Sequence, residues 1–260
     1  MSWELFWAYK DSVEELGGTG FSIFSLPHLL WILFCLTVII CITLFYRCSG
    51  DHKRDNIRKS IALFLILFEI TKQCAGALTG APSAKLLPLH LCSFAEYAIL
   101  IDALWPQNRF FKQLMAFPFL PSAVIAFLLP TVTSYPPLNF YAIHQFLLHA
   151  VITAYIIARY SAGEIKPRYA GLWLPLLVTA FLAALIYPIN CAFQTNFMFL
   201  ARYSDNPVLK LIWDMTGGTG GIAYILGLGI IVAIVFHLLF VLYAVLKRTT
   251  NKKALNTSLL

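Results

Sequence analysis

Eight ionisable side chains interrupt stretches that are otherwise apolar: Glu69, Lys72, His90, Glu96, Asp102, His144, His149 and His237. Such groups are costly in hydrocarbon and point to function by default. Two chemistries fit them. A histidine can take a proton from a thiol, a hydroxyl or water and so activate it as a nucleophile. His90 and His149 are the candidate bases, and Cys92 is the candidate nucleophile beside Ser93. Gln145, His149 and Thr153 recur every fourth residue and form one polar stripe on a helix, whereas His144 and His149 differ by about 140° around it. The second chemistry is a relay for protons or a small solute, carried by Glu69, Lys72, Glu96 and Asp102. Glu69 and Lys72 are three apart, which also lets them neutralise one another as a structural pair.

Elements that cross a membrane must position these groups. Seven apolar stretches stand out, at about 26–46, 58–80, 87–104, 110–130, 139–160, 169–192 and 220–246. Most reach the roughly 20 residues that a helix needs to cross ~30 Å of hydrocarbon. The expected fold is all-α, a polytopic bundle of seven transmembrane helices. If they cross in turn, one side receives Arg47, Lys53, Arg54, Arg58, Lys59, Arg109, Lys112, Arg159, Lys166, Arg168, Lys247, Arg248, Lys252 and Lys253. The other receives Lys10, Lys85, Arg202 and Lys210. The positive-inside rule then places the N-terminus outside and the C-terminus in the cytoplasm. On that topology His28, His90, His144 and His149 all fall in the outer half.

With 60% hydrophobic and 12% charged residues, a chain of 260 residues leaves no room for a soluble domain beside seven spans, so 1–260 reads as a single membrane domain. The net charge of +7 lies in short loops, where anionic headgroups rather than nucleic acid explain it. Residues 1–20 carry Glu4, Asp11, Glu14 and Glu15 where a cleavable signal would open with basic residues. Trp3, Phe6 and Trp7 recur at helical spacing there, consistent with an outer interfacial helix or with an irregular leader. The six cysteines contain no C-x-x-C pair and support neither a disulfide framework nor a metal site. Gly-Gly-Thr-Gly occurs at 17–20 and 217–220 without the lysine of a phosphate loop, and reads as an entry turn. Prolines 118, 121, 130, 175 and 188 predict kinks. The connection 193–218, with Asn196, Phe197, Phe199, Arg202 and Asp205, is long enough to cap a cavity or to lie along the outer headgroups.

Four segments, taken in order, carry a resemblance: Phe21-Ser22-Ile23-Phe24-Ser25-Leu26-Pro27-His28-Leu29-Leu30, Leu87-Pro88-Leu89-His90-Leu91-Cys92-Ser93-Phe94, Phe146-Leu147-Leu148-His149 and Thr195-Asn196-Phe197-Met198-Phe199-Leu200. Together they resemble the bacterial YwaF-like membrane proteins, which belong with the eukaryotic transmembrane protein 164 family. That resemblance implies phospholipid acyl chemistry with His90 and His149 as the matching histidines. In the eukaryotic relative a nucleophilic cysteine directly precedes the first of them. Leu89 stands there in this chain, so an acyl-cysteine at that position does not transfer. A more distant group of membrane hydrolases cleaves lipid esters with Thr and His.

The expected function is therefore a multi-pass enzyme of the cell membrane that acts on lipid acyl esters at the outer leaflet, by hydrolysis or acyl transfer. His90, His149 and Cys92 would be catalytic, with Ser93, Gln145, Asn196 and His28 facing the substrate. Membrane lipids are the expected partners, and no cofactor or metal is called for. A transporter or channel using the mid-membrane carboxylates is the alternative, and a sensor or scaffold is a third reading.

Overall fold

A computed structural model describes residues 2–204 and 206–257, with the side chains of Asp11 and of residues 248–257 outside that description. The sequence readings on Asp11, Asp205, Arg248, Lys252 and Lys253 lie outside the described residues. Helices are the only regular secondary structure among the described residues. Its elements are α1 (Trp3–Trp7), α2 (Lys10–Glu15), α3 (Leu26–Arg47), α4 (Asp51–Leu78), α5 (Ser83–Leu86), α6 (Leu91–Leu104), α7 (Arg109–Leu114), α8 (Leu120–Leu128), α9 (Phe140–Ser161), α10 (Trp173–Phe193), α11 (Pro207–Met215) and α12 (Gly221–Thr257). Six segments are long and apolar enough to cross a membrane: α3, α4, Arg109–Leu128, α9, Tyr169–Phe193 and Gly221–Lys247. The protein is a multi-pass membrane protein.

The third predicted stretch, 87–104, is not among the six. Its helix α6 has 14 residues, about 21 Å at 1.5 Å per residue. Pro88 explains the shortening: it has no N–H to offer and pushes the preceding residue out of the helical region. Leu87 accordingly sits at φ −50°, ψ 136°, and the helix starts only after His90, which holds an extended N-cap conformation. Pro118 has a different effect. It lies in a π-helical turn, Met115–Phe119, that joins α7 to α8, where the wider turn accommodates the proline ring. Pro175 lies near the start of α10 and Pro188 lies within it, while Pro130 follows the end of α8.

α9 is the central helix. Most of its residues are buried, whereas almost none of α12 is. α3 packs along α9 in the same direction. Cys35 faces Phe146 midway, and Tyr46 meets Glu164 beyond the end of α9. α4 runs the opposite way, with Glu69 near His144 and Arg58 near Glu164. At the N-terminal end of α9, Asn139 donates to the carbonyls of Leu5 and Ala8, pinning α1 to the bundle. Trp7 also packs against Phe140, with ring centroids 4.8 Å apart. The entry turn before α3 approaches its neighbour closely: Phe21 N–H bonds the Thr133 carbonyl at 2.9 Å, and a Cβ on Gly20 would strike that same oxygen. The predicted long connection 193–218 contains a short turn, Phe197–Phe199, and the helix α11.

At the other end of α9 lies an ionic network. Asp102 of α6 is fully buried and paired with Arg159, which is itself 1% exposed. Tyr155 donates to the same Asp102 oxygen at 2.6 Å. Arg159 also donates to Glu164 at 2.8 Å and to the Pro106 carbonyl at 2.8 Å. Glu164 then accepts from Tyr46, whose hydroxyl in turn accepts from Arg58 at 2.8 Å. Four helices are tied together there. The sequence groups Arg159 with the loop cations, but its guanidinium is a core group.

A buried pair broken on one side leaves a charge without a partner, at a cost of about 3–5 kcal/mol. Arg159→Met is therefore expected to lower stability by that order, measured as a shift in the thermal unfolding midpoint in detergent. Arg159→Met combined with Asp102→Leu should recover much of the loss.

Candidate functional site

Between the ionic network and the opposite end of the bundle, α4, α6 and α9 present polar groups to one another. α4 supplies Glu69, Lys72 and Gln73. Lys72 Nζ meets Glu69 Oε1 at 2.7 Å, as the three-residue spacing predicts, and Gln73 Nε2 donates to the same oxygen at 2.7 Å. Gln73 also donates to the Leu86 carbonyl at 2.6 Å, which holds the irregular segment before α6 against α4. α9 supplies His144, whose Nε2 lies 3.7 Å from Glu69 Oε2 and whose ring stacks on Phe68. Lys72 is the charged neighbour common to His90, Cys92, Glu96, His144 and His149. Residues that the sequence divides between an ester-cleaving site and a relay thus share one charged neighbourhood, except Asp102, which belongs to the ionic network.

The hydrogen bonds of the two candidate bases distinguish their ring nitrogens. His149 Nδ1 lies 2.6 Å from the Gln145 carbonyl. A carbonyl only accepts, so Nδ1 carries the proton and Nε2 of the neutral ring keeps its lone pair. The backbone carbonyl of Gln145 orients His149, while the Gln145 side-chain amide donates to the Ala126 carbonyl at 3.3 Å. His90 has the opposite arrangement. Its Nδ1 accepts from the Met198 N–H at 3.4 Å, so in the neutral ring the proton sits on Nε2. Phe197 and Phe199 flank the His90 ring at 5.3 and 5.7 Å between centroids.

Cys92 and Ser93 lie in the first turn of α6, next to His90 and one turn before Glu96. No hydrogen bond among the described residues links the Cys92 thiol to either histidine. Glu96 is 1% exposed and neither of its oxygens has a hydrogen-bond partner. The Thr153 hydroxyl and Glu69 Oε2 are also buried without one. An unpaired buried polar group is expensive, and such groups concentrate where a protein handles protons or ligands.

The remaining sequence candidates lie elsewhere. His28 is fully buried against Phe21 and Phe146, accepts from Phe24 N–H at 2.8 Å on Nδ1 and donates through Nε2 to the Phe127 carbonyl at 3.0 Å. Both of its nitrogens tie helix ends together. Asn196 folds its own loop, accepting from the Ala201 and Arg202 N–H groups and donating to the Arg202 carbonyl. His237 meets the Tyr169 hydroxyl at 3.0 Å. The sequence left two groups without a role that the structure gives one: Gln73, and Asn190, which is buried under the 195–200 turn. A polar amide amid apolar residues was the available signal for both.

The TMEM164 family matches this sequence over residues 23–241. The chain belongs to the TMEM164 family. No curated protein and no solved structure matches it. The TMEM164 match takes in α3 through α11 and the whole polar cluster, while α1 and α2 precede it.

The two bonds of His28 generate a test. His28→Ala orphans the Phe24 N–H and the Phe127 carbonyl, which should cost about 2–4 kcal/mol of stability. A fluorescence melt in detergent would show the loss.

Proposed function

We propose that this protein is an enzyme embedded in the cell membrane that acts on lipid acyl esters, by hydrolysis or acyl transfer, at the outer leaflet. One observation carries the reading: the two histidines present the same ring nitrogen, Nε2, in opposite protonation states. His149 offers a bare Nε2, which suits a general base. His90 offers an Nε2–H, which suits donation to a carbonyl oxygen as it gains charge. Resemblance to the eukaryotic members of the transmembrane protein 164 family supports the same chemistry. The excess of Lys and Arg at the ionic-network end supports seven crossings of a single domain, α6 being the short third one, with the N-terminus outside and the C-terminus cytoplasmic.

In the reaction, His149 Nε2 takes the proton of the nucleophile, which is water or the side chain of Cys92 or Ser93. The nucleophile adds to the ester carbonyl carbon while His90 Nε2–H donates to the oxygen. The bond to the alcohol oxygen then breaks, and the proton held on His149 passes to the departing alkoxide. With water the products are a free acid and a lysolipid. With Cys92 or Ser93 the acyl group stays on the side chain until a second alcohol or water removes it.

A positioned base contributes ~10²–10⁴-fold. Membranes from cells overproducing the wild type are therefore expected to shift in lysolipid content or acyl composition, and His149→Ala at matched abundance should lose at least about 100-fold of that activity. Lipid mass spectrometry reads both. Two profiles identical to the empty-vector control would sink the proposal.

A second reading is favoured by Glu96, whose unpartnered oxygens sit beside the Glu69–Lys72 pair. It makes the cluster a path for a proton or small solute. Counterflow uptake into proteoliposomes that survives His149→Ala and is abolished by Glu96→Gln would select it over ester chemistry.

A further inference from the structure

The turn over His90 is built in an unusual way. Met198 and Phe199 both adopt left-handed backbone, at φ 54° and φ 57°, where side chains other than glycine's are strained. Such a conformation persists only when its surroundings impose it. The surroundings here centre on one side chain, Asn190 of α10, which is 1% exposed. Its Nδ2 donates to the Phe197 carbonyl at 2.9 Å, and its Oδ1 accepts from the Phe197 N–H at 2.8 Å and from the Thr195 hydroxyl at 2.9 Å. All three of its bonds fall on the turn, and none serves α10. The residue after this clamp is Met198, whose N–H is the donor to His90 Nδ1.

From this chain of contacts we infer that Asn190 is a positioning residue for His90: through the turn it fixes which ring nitrogen carries the proton. An aromatic bracket alone does not choose a tautomer, because the rings of Phe197 and Phe199 offer no polar atom. The choice rests with the Met198 N–H, which can only donate and so excludes a proton from Nδ1. With the N–H withdrawn, a neutral imidazole is free to carry its proton on either nitrogen, and the share of molecules with a donor at Nε2 falls. The same turn covers the ring, so Asn190 also governs how easily a reagent reaches His90. The inference rests on the reading of His90 as a hydrogen-bond donor, but its test reads ring protonation and not lipid turnover. Failure here would leave the role of His149 standing.

The full-length protein labelled with ¹⁵N-histidine, in lipid nanodiscs, gives ring-nitrogen signals that separate protonated from bare nitrogens. Wild type is expected to show His90 with a bare Nδ1 and a protonated Nε2, and His149 with the reverse. Asn190→Ala should move the His90 pair toward averaged values while His28 and His149 stay in place. Unchanged His90 signals in Asn190→Ala would overturn the inference. Met198→Gly supplies an independent arm, because it keeps the N–H and removes the left-handed strain, which favours the closed turn by roughly fivefold or more. It should preserve the wild-type His90 signals and slow modification of His90 by diethyl pyrocarbonate by a similar factor, with His52 as the exposed reference. If Asn190→Ala does not fold, this arm decides: a His90 modification rate that is unchanged or faster would overturn the inference.

Discussion

Asp102 is the side chain to which the bundle must answer. A carboxylate with no exposure has to find a cation, and Arg159 is the one it finds. The pair fixes the relative height of α6 and α9, and everything above it follows by counting. His149 lies ten residues back along α9, about 15 Å, and His90 lies twelve residues back along α6, about 18 Å. Two side chains from different helices are thereby brought to similar depth. Glu164 extends the same anchor to Tyr46 of α3 and Arg58 of α4, so the helix that carries Glu69 and Lys72 is set in register as well.

The short α6 is what makes room for chemistry at that depth. Backbone that is not helical is tolerated within a membrane only where protein covers it. The segment 87–90 meets that condition, with Gln73 bonding the Leu86 carbonyl on one side and the 195–200 turn lying over His90 on the other. Because His90 caps a helix rather than sitting inside one, its ring is aimed by its neighbours and not by helical geometry. His149, in the middle of α9, is aimed by its own helix through the Gln145 carbonyl. The two histidines therefore differ in how firmly each is held, as well as in whether the Nε2 each presents carries the proton.

Much of this was legible in the sequence. The apolar runs matched the spanning helices within a few residues, except where Pro88 cut the third one short and where α4 begins seven residues early, at Asp51. The four-residue spacing of Gln145, His149 and Thr153 gave the inward face of α9, and the spacing of Glu69 and Lys72 gave their pair. Partnerships between distant segments were not legible. Asp102 and Arg159 are 57 residues apart, and nothing local in either says which charge will meet the other. The role of His28 was hidden for a related reason, since a histidine near a span end looks the same whether it meets solvent or two backbone groups. Asn190 went without a role because a side chain that shapes a turn acts through backbone atoms, which every residue has.

The burial of α9 also bears on how the protein is made. A helix that carries His144, Gln145, His149, Thr153 and Arg159 partitions poorly into lipid alone, since polar and charged groups near a helix centre oppose insertion. Along Gly221–Lys247, α12 carries a single histidine, His237, before the terminal Lys247, and enters the bilayer more readily than α9. α9 is thus a late guest in an early house: α3, α4 and α6 leave the ribosome before it and carry Asp102, Glu69 and Lys72, the groups that its polar face needs. Synthesis order and charge pairing agree, and the helix with this polar face is delivered to partners already in the membrane.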